Sequence, residues 1–225
     1  VRRGELNRWW RVGLALTRPL VWLVFRVRVR GLEHVPRTGA VILAFNHVSL
    51  LDGPVLAIET GRRIRRELRF LVAAEVFGHG LWGWILRRYD QIPVRRGEGD
   101  HAAVDAAVET LTHGAVVAMA PEGRVDDHAG ADGLQRIKSG VPRIALPTGA
   151  PVVPVGIWGT QRRWPRDGVT WSRPVRPRVG IAFGPPLLPY GDAGDDAALG
   201  SFRERLRAQL EEQVTQARRL AGETA

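Results

Sequence analysis

The run Ala40-Val41-Ile42-Leu43-Ala44-Phe45 is apolar without interruption and stops on a polar turn, Asn46-His47-Val48-Ser49. A short unbroken apolar run bounded by turn residues reads as a strand buried on both faces, which requires a sheet with helices on either side. Leu68 to Ala73, Ala115 to Ala120, Val152 to Trp158 and Val179 to Phe183 repeat the pattern, and Val27 to Gly31 and Gln91 to Val94 read as shorter strands. Between them lie helical segments: Leu50 to Glu59, the bulky apolar stretch Glu75 to Leu86 (helix or loop), and Asp100 to His113, capped by Asp100 and ended by Gly114. Ser201 and Glu204 form a capping box for a last helix, in which Leu199, Phe202, Leu206, Leu210 and Val214 repeat at helical spacing. Strands alternating with helices predict the α/β class, with a mostly parallel sheet flanked by helices. Residues 126–135 read as a loop, and Pro154 predicts an edge or bulged position for its strand, because proline donates nothing to a ladder.

With 225 residues and 44% hydrophobic content the chain can build one domain with a sizeable core, over residues 27–225, behind an N-terminal appendage, residues 1–26. Leu6 to Phe25 is strongly apolar but carries Arg8, Arg11 and Arg18. A central Arg costs roughly 2.5 to 3.5 kcal/mol on insertion scales, which disfavours a transmembrane span. At about 100° per residue the three arginines share an arc of roughly 80°, with Trp9, Leu16, Leu20 and Leu23 on other faces. That pattern predicts an amphipathic helix lying in a membrane interface, with packing on the protein's own core as the competing reading. Pro19 would suit the start of a second short helix. No small-residue cleavage site follows Phe25, which disfavours a secretory signal.

Zero cysteines exclude disulfides, thiolate nucleophiles and thiolate zinc sites. A net charge of +10 implies attraction to a polyanion, without choosing among nucleic acid, anionic lipid and an acidic partner. Almost every basic residue is Arg, so arginine counts partly reflect a compositional bias; Lys138 is the single lysine.

His47 follows a buried strand and Asp52 lies five residues on, where a carboxylate can orient the imidazole as a general base. Taken alone, the spacing fits a surface histidine in a polar turn as well. Three more short motifs fall at strand ends, where open α/β sheets bind ligands. Arg95 and Arg96, after Ile92-Pro93-Val94, suit a phosphate clamp or a solvated surface. Glu122, in Pro121-Glu122-Gly123, suits a substrate hydroxyl, support of the base, or plain solvation. Val153-Pro154-Val155 alone is structural.

Together, in order and spacing from about residue 27 to 190, these blocks resemble the glycerolipid acyltransferase superfamily, and within it the bacterial 1-acylglycerol-3-phosphate acyltransferases. Asn46, His47, Ser49 and Asp52 match the family's Asn-His-X-Ser-X-X-Asp block in full, which contains its His-X4-Asp motif. Ile92, Pro93, Val94 and Arg96 match the second block, Pro121, Glu122 and Gly123 the third, and Val153 to Val155 the fourth. Ile137-Lys138-Ser139-Gly140 looks like the family's Phe-Lys-X-Gly. The third block departs from the pattern, with Arg124 where Thr is usual and Val125 where the family has Arg, and Ala74 replaces a usual Lys. The departure puts the acceptor's identity in doubt.

The resemblance implies acyl transfer from a fatty acyl thioester to the hydroxyl of a lysophospholipid, with His47 as base and Asp52 as its orienting group. Arg96, with Arg95 and Arg124, would hold the acceptor phosphate, Glu122 its glycerol, and Asn46, Ser49, Gly123 and Lys138 would complete the substrate site. An apolar tunnel for the acyl chain is required, and Phe77, Leu81, Trp82, Trp84 and Ile85 offer its wall, ordinary core packing being the competing reading. No metal or prosthetic group is implied; acyl-CoA or acyl carrier protein is the co-substrate. The expected partners are an anionic lipid membrane and the lysolipid, at the cytoplasmic face, and not nucleic acid. Glycerol 3-phosphate, a glycolipid or an amino-acid lipid are the alternative acceptors. A binding protein without activity is the remaining alternative; for it the mixed arginines and aromatics Trp158, Arg162, Arg163, Trp164, Arg166 and Trp171 would act as a stacking surface.

Overall fold

The computed structural model describes residues 6–95, 100–125, 134–165, 168–170 and 175–223. Seven strands, β1 (Arg26–Arg30), β2 (Val41–Phe45), β3 (Leu68–Ala73), β4 (Ile92–Val94), β5 (Val116–Met119), β6 (Val152–Trp158) and β7 (Arg178–Phe183), form one sheet in the order β1-β7-β6-β2-β5-β3-β4. Every pairing is parallel except β6 with β7. The helices are α1 (Arg8–Val24), α2 (Asp52–Ile64), α3 (Gly80–Arg88), α4 (His101–Thr112), α5 (Gly140–Thr148) and α6 (Asp196–Ala221). The fold is the expected mostly parallel α/β sheet.

All five residues of β2 are buried, because its two faces meet different helix layers. Val41, Leu43 and Phe45 pack with Trp10 and Leu14 of α1 and with Val55, Leu56 and Ile64 of α2. Ile42 and Ala44 face the other way, into Leu111 of α4, Ile144 of α5 and Leu206 and Leu210 of α6. Burial of one such leucine is worth roughly 1.5 to 3 kcal/mol. Two glycines let α6 lie directly on the sheet: a Cβ at Gly156 would stand 2.1 Å from the Gln213 carbonyl oxygen, and one at Gly180 2.0 Å from that of Ala217.

Three local expectations need correction. Pro154 lies in an interior strand rather than at an edge, at an irregular position where the pairing slips by one residue between Val152↔Leu187 and Val155↔Phe183, and it offers only its carbonyl, to the Gly184 N–H. The last helix starts five residues before Ser201, with Asp195 as its cap, accepting from the Ala197 N–H. The N-terminal segment is one helix, with Pro19 inside it, rather than two. Helix α1 is also tied to the core on one side, where Trp10 and Leu14 are buried. Its other side stays in solvent, with Leu16 68% exposed and Leu20, Trp22 and Leu23 similar. Among the described residues no helix is long and apolar enough to cross a membrane.

Candidate active site

β2, β3, β4, β5 and β6 all run the same way, so their carboxyl ends meet at one edge of the sheet. Asn46 and His47 leave β2 there, Glu122 follows β5, Arg95 follows β4, and Thr160 follows β6. This is where open α/β sheets hold their ligands.

His47 is placed by the turn before α2. Its Nδ1 lies 3.0 Å from Asp52 Oδ2, and the same oxygen accepts the Val48 and Ser49 N–H groups, both at 2.8 Å. Thr160 Oγ1 donates to the other oxygen, Oδ1, at 2.5 Å. Asp52 is fully buried, and these four donors satisfy both of its oxygens there. Because the carboxylate only accepts, Nδ1 must carry the proton, which leaves Nε2 with its lone pair. The imidazole is 20% exposed and edge-on to Phe45, at 5.8 Å between ring centroids. Such an arrangement can take a proton at Nε2 and stabilise the resulting imidazolium through Asp52.

Asn46 and Ser49, expected to touch substrate, are fully buried and bonded to backbone instead. The Asn46 amide continues the ladder to β6, donating to the Ile157 carbonyl at 3.0 Å and accepting the Ile157 N–H at 2.7 Å. Ser49 Oγ donates to the Trp164 carbonyl at 2.6 Å and accepts from the Leu51 N–H at 3.1 Å. Both position the turn. Glu122 also points inward: it accepts the His47 N–H at 3.2 Å and the Gln135 N–H at 3.4 Å. Burial pushes its carboxyl from 4.5 up to about 7, against the downward pull of those two amides. Its contact is with the backbone of His47.

Gly123 has φ of 75°, which suits glycine, and a Cβ there would stand 3.0 Å from Lys138 Nζ. The exposed Lys138 therefore lies over the Glu122 turn, anchored by its N–H to the Pro121 carbonyl at 2.9 Å. Arg124 is exposed, with Nε bonded to Gln135 Oε1 at 2.9 Å, whereas Val125 is buried, 7% exposed. Arg95 is exposed at the end of β4; Arg96 lies outside the described residues.

The expected tunnel wall is an open surface. Leu81 is 70% exposed, Trp82 and Trp84 are more than half exposed, and Phe77 and Ile85 are half-buried beside them. α3 turns these side chains outward because its inner face is the buried Gly83, whose Cβ would stand 2.1 Å from the Phe77 carbonyl oxygen. Trp84 meets Trp9 edge-on at 6.3 Å, so the apolar sides of α3 and α1 adjoin.

Thr160 is the site residue that sequence reading misses. It is 108 positions from Asp52, and no local pattern marks it; only the topology, which ends β6 beside β2, brings it in. Among its described residues the arginine and aromatic stretch is tied into the fold rather than laid out for stacking: Trp158 donates to Glu223 at 2.7 Å under the Arg218 guanidinium, and Arg163 is buried. Arg166 and Trp171 of that stretch lie outside the described residues.

Known proteins share this architecture. The 1-acyl-sn-glycerophosphate acyltransferase of Thermotoga maritima has the same fold, with a TM-score of 0.73 over 92% of this chain and 78% of that one at 23% identity. The lyso-ornithine lipid O-acyltransferase of Pseudomonas aeruginosa is 33% identical over 168 residues, 74% of this chain. This chain spans 57% of the length of that relative. The 1-acyl-sn-glycerol-3-phosphate acyltransferase of the same organism is 24% identical over 220 residues, 95% of this chain and 78% of that protein. Residues 26–158, more than half of the chain and all of the His47, Asp52 and Glu122 region, match the Acyltransferase family, and the protein belongs to that family, within the glycerolipid acyltransferase superfamily.

Proposed function

We propose that the protein transfers a fatty acyl group from an acyl thioester to the free hydroxyl of 1-acylglycerol 3-phosphate, giving phosphatidate, with His47 as general base. The observation that carries this reading is the imidazole at the carboxyl edge of the sheet, its Nδ1 fixed by buried Asp52 and its Nε2 open. The acceptor hydroxyl gives its proton to Nε2 as its oxygen attacks the thioester carbonyl. The tetrahedral intermediate then expels the thiolate, which takes the proton back from the imidazolium. The acceptor is itself the nucleophile, so no acyl-enzyme is formed. General-base help of this kind is worth about 10² to 10⁴ in rate.

Arg95, Arg96 and Lys138 would meet the acceptor phosphate, and acyl-CoA or an acyl carrier protein would supply the thioester. The exposed apolar faces of α1 and α3 support membrane association. α3 follows β3, so it leaves the sheet at the His47 edge, where a lipid surface would deliver acyl chains beside the base.

One observation favours a second acceptor. Where the superfamily pattern has an arginine, this chain buries Val125, and Arg124 is held by Gln135. A relative is named a lyso-ornithine lipid O-acyltransferase. Lyso-ornithine lipid, an amino-acid lipid without a phosphate, is that alternative.

The test is acyl transfer by the purified protein with labelled palmitoyl-CoA or palmitoyl carrier protein and a panel of lysophosphatidate, lyso-ornithine lipid and glycerol 3-phosphate. Product on lysophosphatidate that falls about 10³-fold in a normally folded His47→Ala variant supports the first reading. Product on lyso-ornithine lipid alone selects the second, and no product with either donor on any acceptor overturns acyl transfer.

A further inference from the structure

We infer that the groove between α1 and α2 binds the phosphate headgroup of an anionic membrane lipid, at a site separate from His47. The inference rests on the proposed membrane association of α1. The groove encloses about 710 Å³, and four guanidiniums line it: Arg11 and Arg18 from α1, Arg62 and Arg65 from α2. Leu14, Pro19 and Trp22 form its apolar wall. Arg62 and Arg65 stand at the far end of α2 from Asp52, about 15 to 20 Å away at roughly 1.5 Å per residue.

The charges there are unmatched. Among the described residues no Asp or Glu lines the groove, and none of the four arginines pairs with a carboxylate. Arg63, next to Arg62, does pair, with Glu59 at 3.1 Å, and does not line the groove. The negative end of the α2 dipole amounts to about half a charge and offsets only a fraction of four guanidiniums. Arg65 caps α2 at φ of 57°, a left-handed position that favours glycine. A long basic side chain kept at a strained position beside a cavity points to a ligand.

A lipid headgroup suits the groove better than a soluble anion because of what adjoins it. Across α1 from Arg11, about 100° to 180° round the helix at 100° per residue, lie the exposed Val12, Leu23, Leu16 and Leu20. With those side chains in the acyl region of a bilayer, Arg11 and Arg18 on the other side of the helix stand about 10 Å higher, at the level of the phosphates. The two α2 arginines then close the site from the protein side, and guanidinium forks hold phosphate oxygens in pairs.

The test is sedimentation with vesicles of phosphatidylcholine alone or with one third phosphatidylglycerol. The wild type should prefer the anionic vesicles. Arg62→Gln with Arg65→Gln should weaken that binding by about 30-fold, from ~1 kcal/mol per basic residue near an anionic surface, and leave binding to phosphatidylcholine unchanged. Arg143→Gln with Arg219→Gln, exposed on the helices of the opposite layer and not lining the groove, should weaken it by less than about 3-fold. Arg62→Lys with Arg65→Lys keeps the charge but loses the forks, and should still lose about 5-fold. If the lysine pair binds like the wild type, or both glutamine pairs lose equally, the attraction is diffuse and the site is overturned. A wild type that binds both vesicle types equally also overturns it while leaving membrane association standing. A wild type that binds neither removes membrane association, and the inference with it.

Discussion

The turn that carries His47 and the outer side of α1 and α3 are built on opposite plans. In the turn, the side chains of Asn46, Ser49, Asp52 and Thr160 are fully buried, and each is held by the hydrogen bonds described above. On α1 and α3, leucines and tryptophans stand in solvent although a core lies one side of the helix away. The first region is completed by the chain itself; the second awaits something else. The proposed chemistry at Nε2 needs a fixed imidazole, and buried bonds fix it. An apolar surface needs only to be present when its partner arrives. Substitutions should therefore act on geometry and stability in the turn, and on association along the helices.

Asp52→Asn should have the largest effect. The amide cannot accept at both ends, so the Val48 and Ser49 N–H groups, the imidazole and the Thr160 hydroxyl cannot all keep their acceptor. We expect acyl transfer to fall about 10³-fold, read from initial rates, with about 1 to 3 kcal/mol lost in denaturant unfolding. A variant with full activity would show that the turn is held by something other than this carboxylate.

The next effect depends on pH. Burial raises the Glu122 carboxyl from 4.5 to about 7. Between those values the folded protein keeps a proton that the unfolded chain has released, so stability falls as pH rises through this window. The full contribution is roughly 3 kcal/mol. Unfolding of the wild type and Glu122→Gln at pH 5 and pH 8 checks it: the wild type should lose more stability than the variant between the two. Equal losses would mean that Glu122 stays ionised in the fold.

Thr160→Val removes one donor from buried Asp52 and nothing from the apolar packing. It should cost about 1 to 3 kcal/mol and lower the rate about 10-fold, and Thr160→Ser should restore most of both. A serine variant as poor as valine would assign the effect to the methyl group.

The contrast between the two regions also decides what could be read from the sequence. β2 and the His47–Asp52 pair were legible because the strand is an unbroken local run and the pair lies within one turn. The Asp100 cap was legible for the same reason, and its side chain accepts the Ala103 N–H as expected. Thr160 was not, because its partner lies 108 residues away in sequence and is brought beside it only by the pairing of β6 with β2. Helix α5 escaped notice because Pro142 and Pro147 blur its pattern, although Pro142 sits in the first turn, where proline is tolerated. The roles given to Asn46, Ser49 and Glu122 from the motif placed them on substrate; burial and backbone partners turn them inward. On α1 the period of the apolar residues was plain, but periodicity cannot say which of two apolar sides meets the core. Trp10 and Leu14 do, and Leu16 and Leu20 do not.

Leu16→Ser with Leu20→Ser should have the smallest effect on the fold and so tests the comparison most directly. Both side chains are more than half exposed, so unfolding free energy should move by no more than about 0.5 kcal/mol. Detergent-assayed acyl transfer should stay near the wild-type rate, because neither residue touches the turn. Binding to vesicles should nonetheless drop by about 10-fold or more for each leucine that enters the acyl region, at roughly 1.5 to 3 kcal/mol per buried side chain. A large loss of stability would show that this side of α1 is packed within the protein, and the two regions would then follow one plan. Unchanged stability with unchanged vesicle binding would leave α3, with Leu81, Trp82 and Trp84, as the surface that meets the lipid.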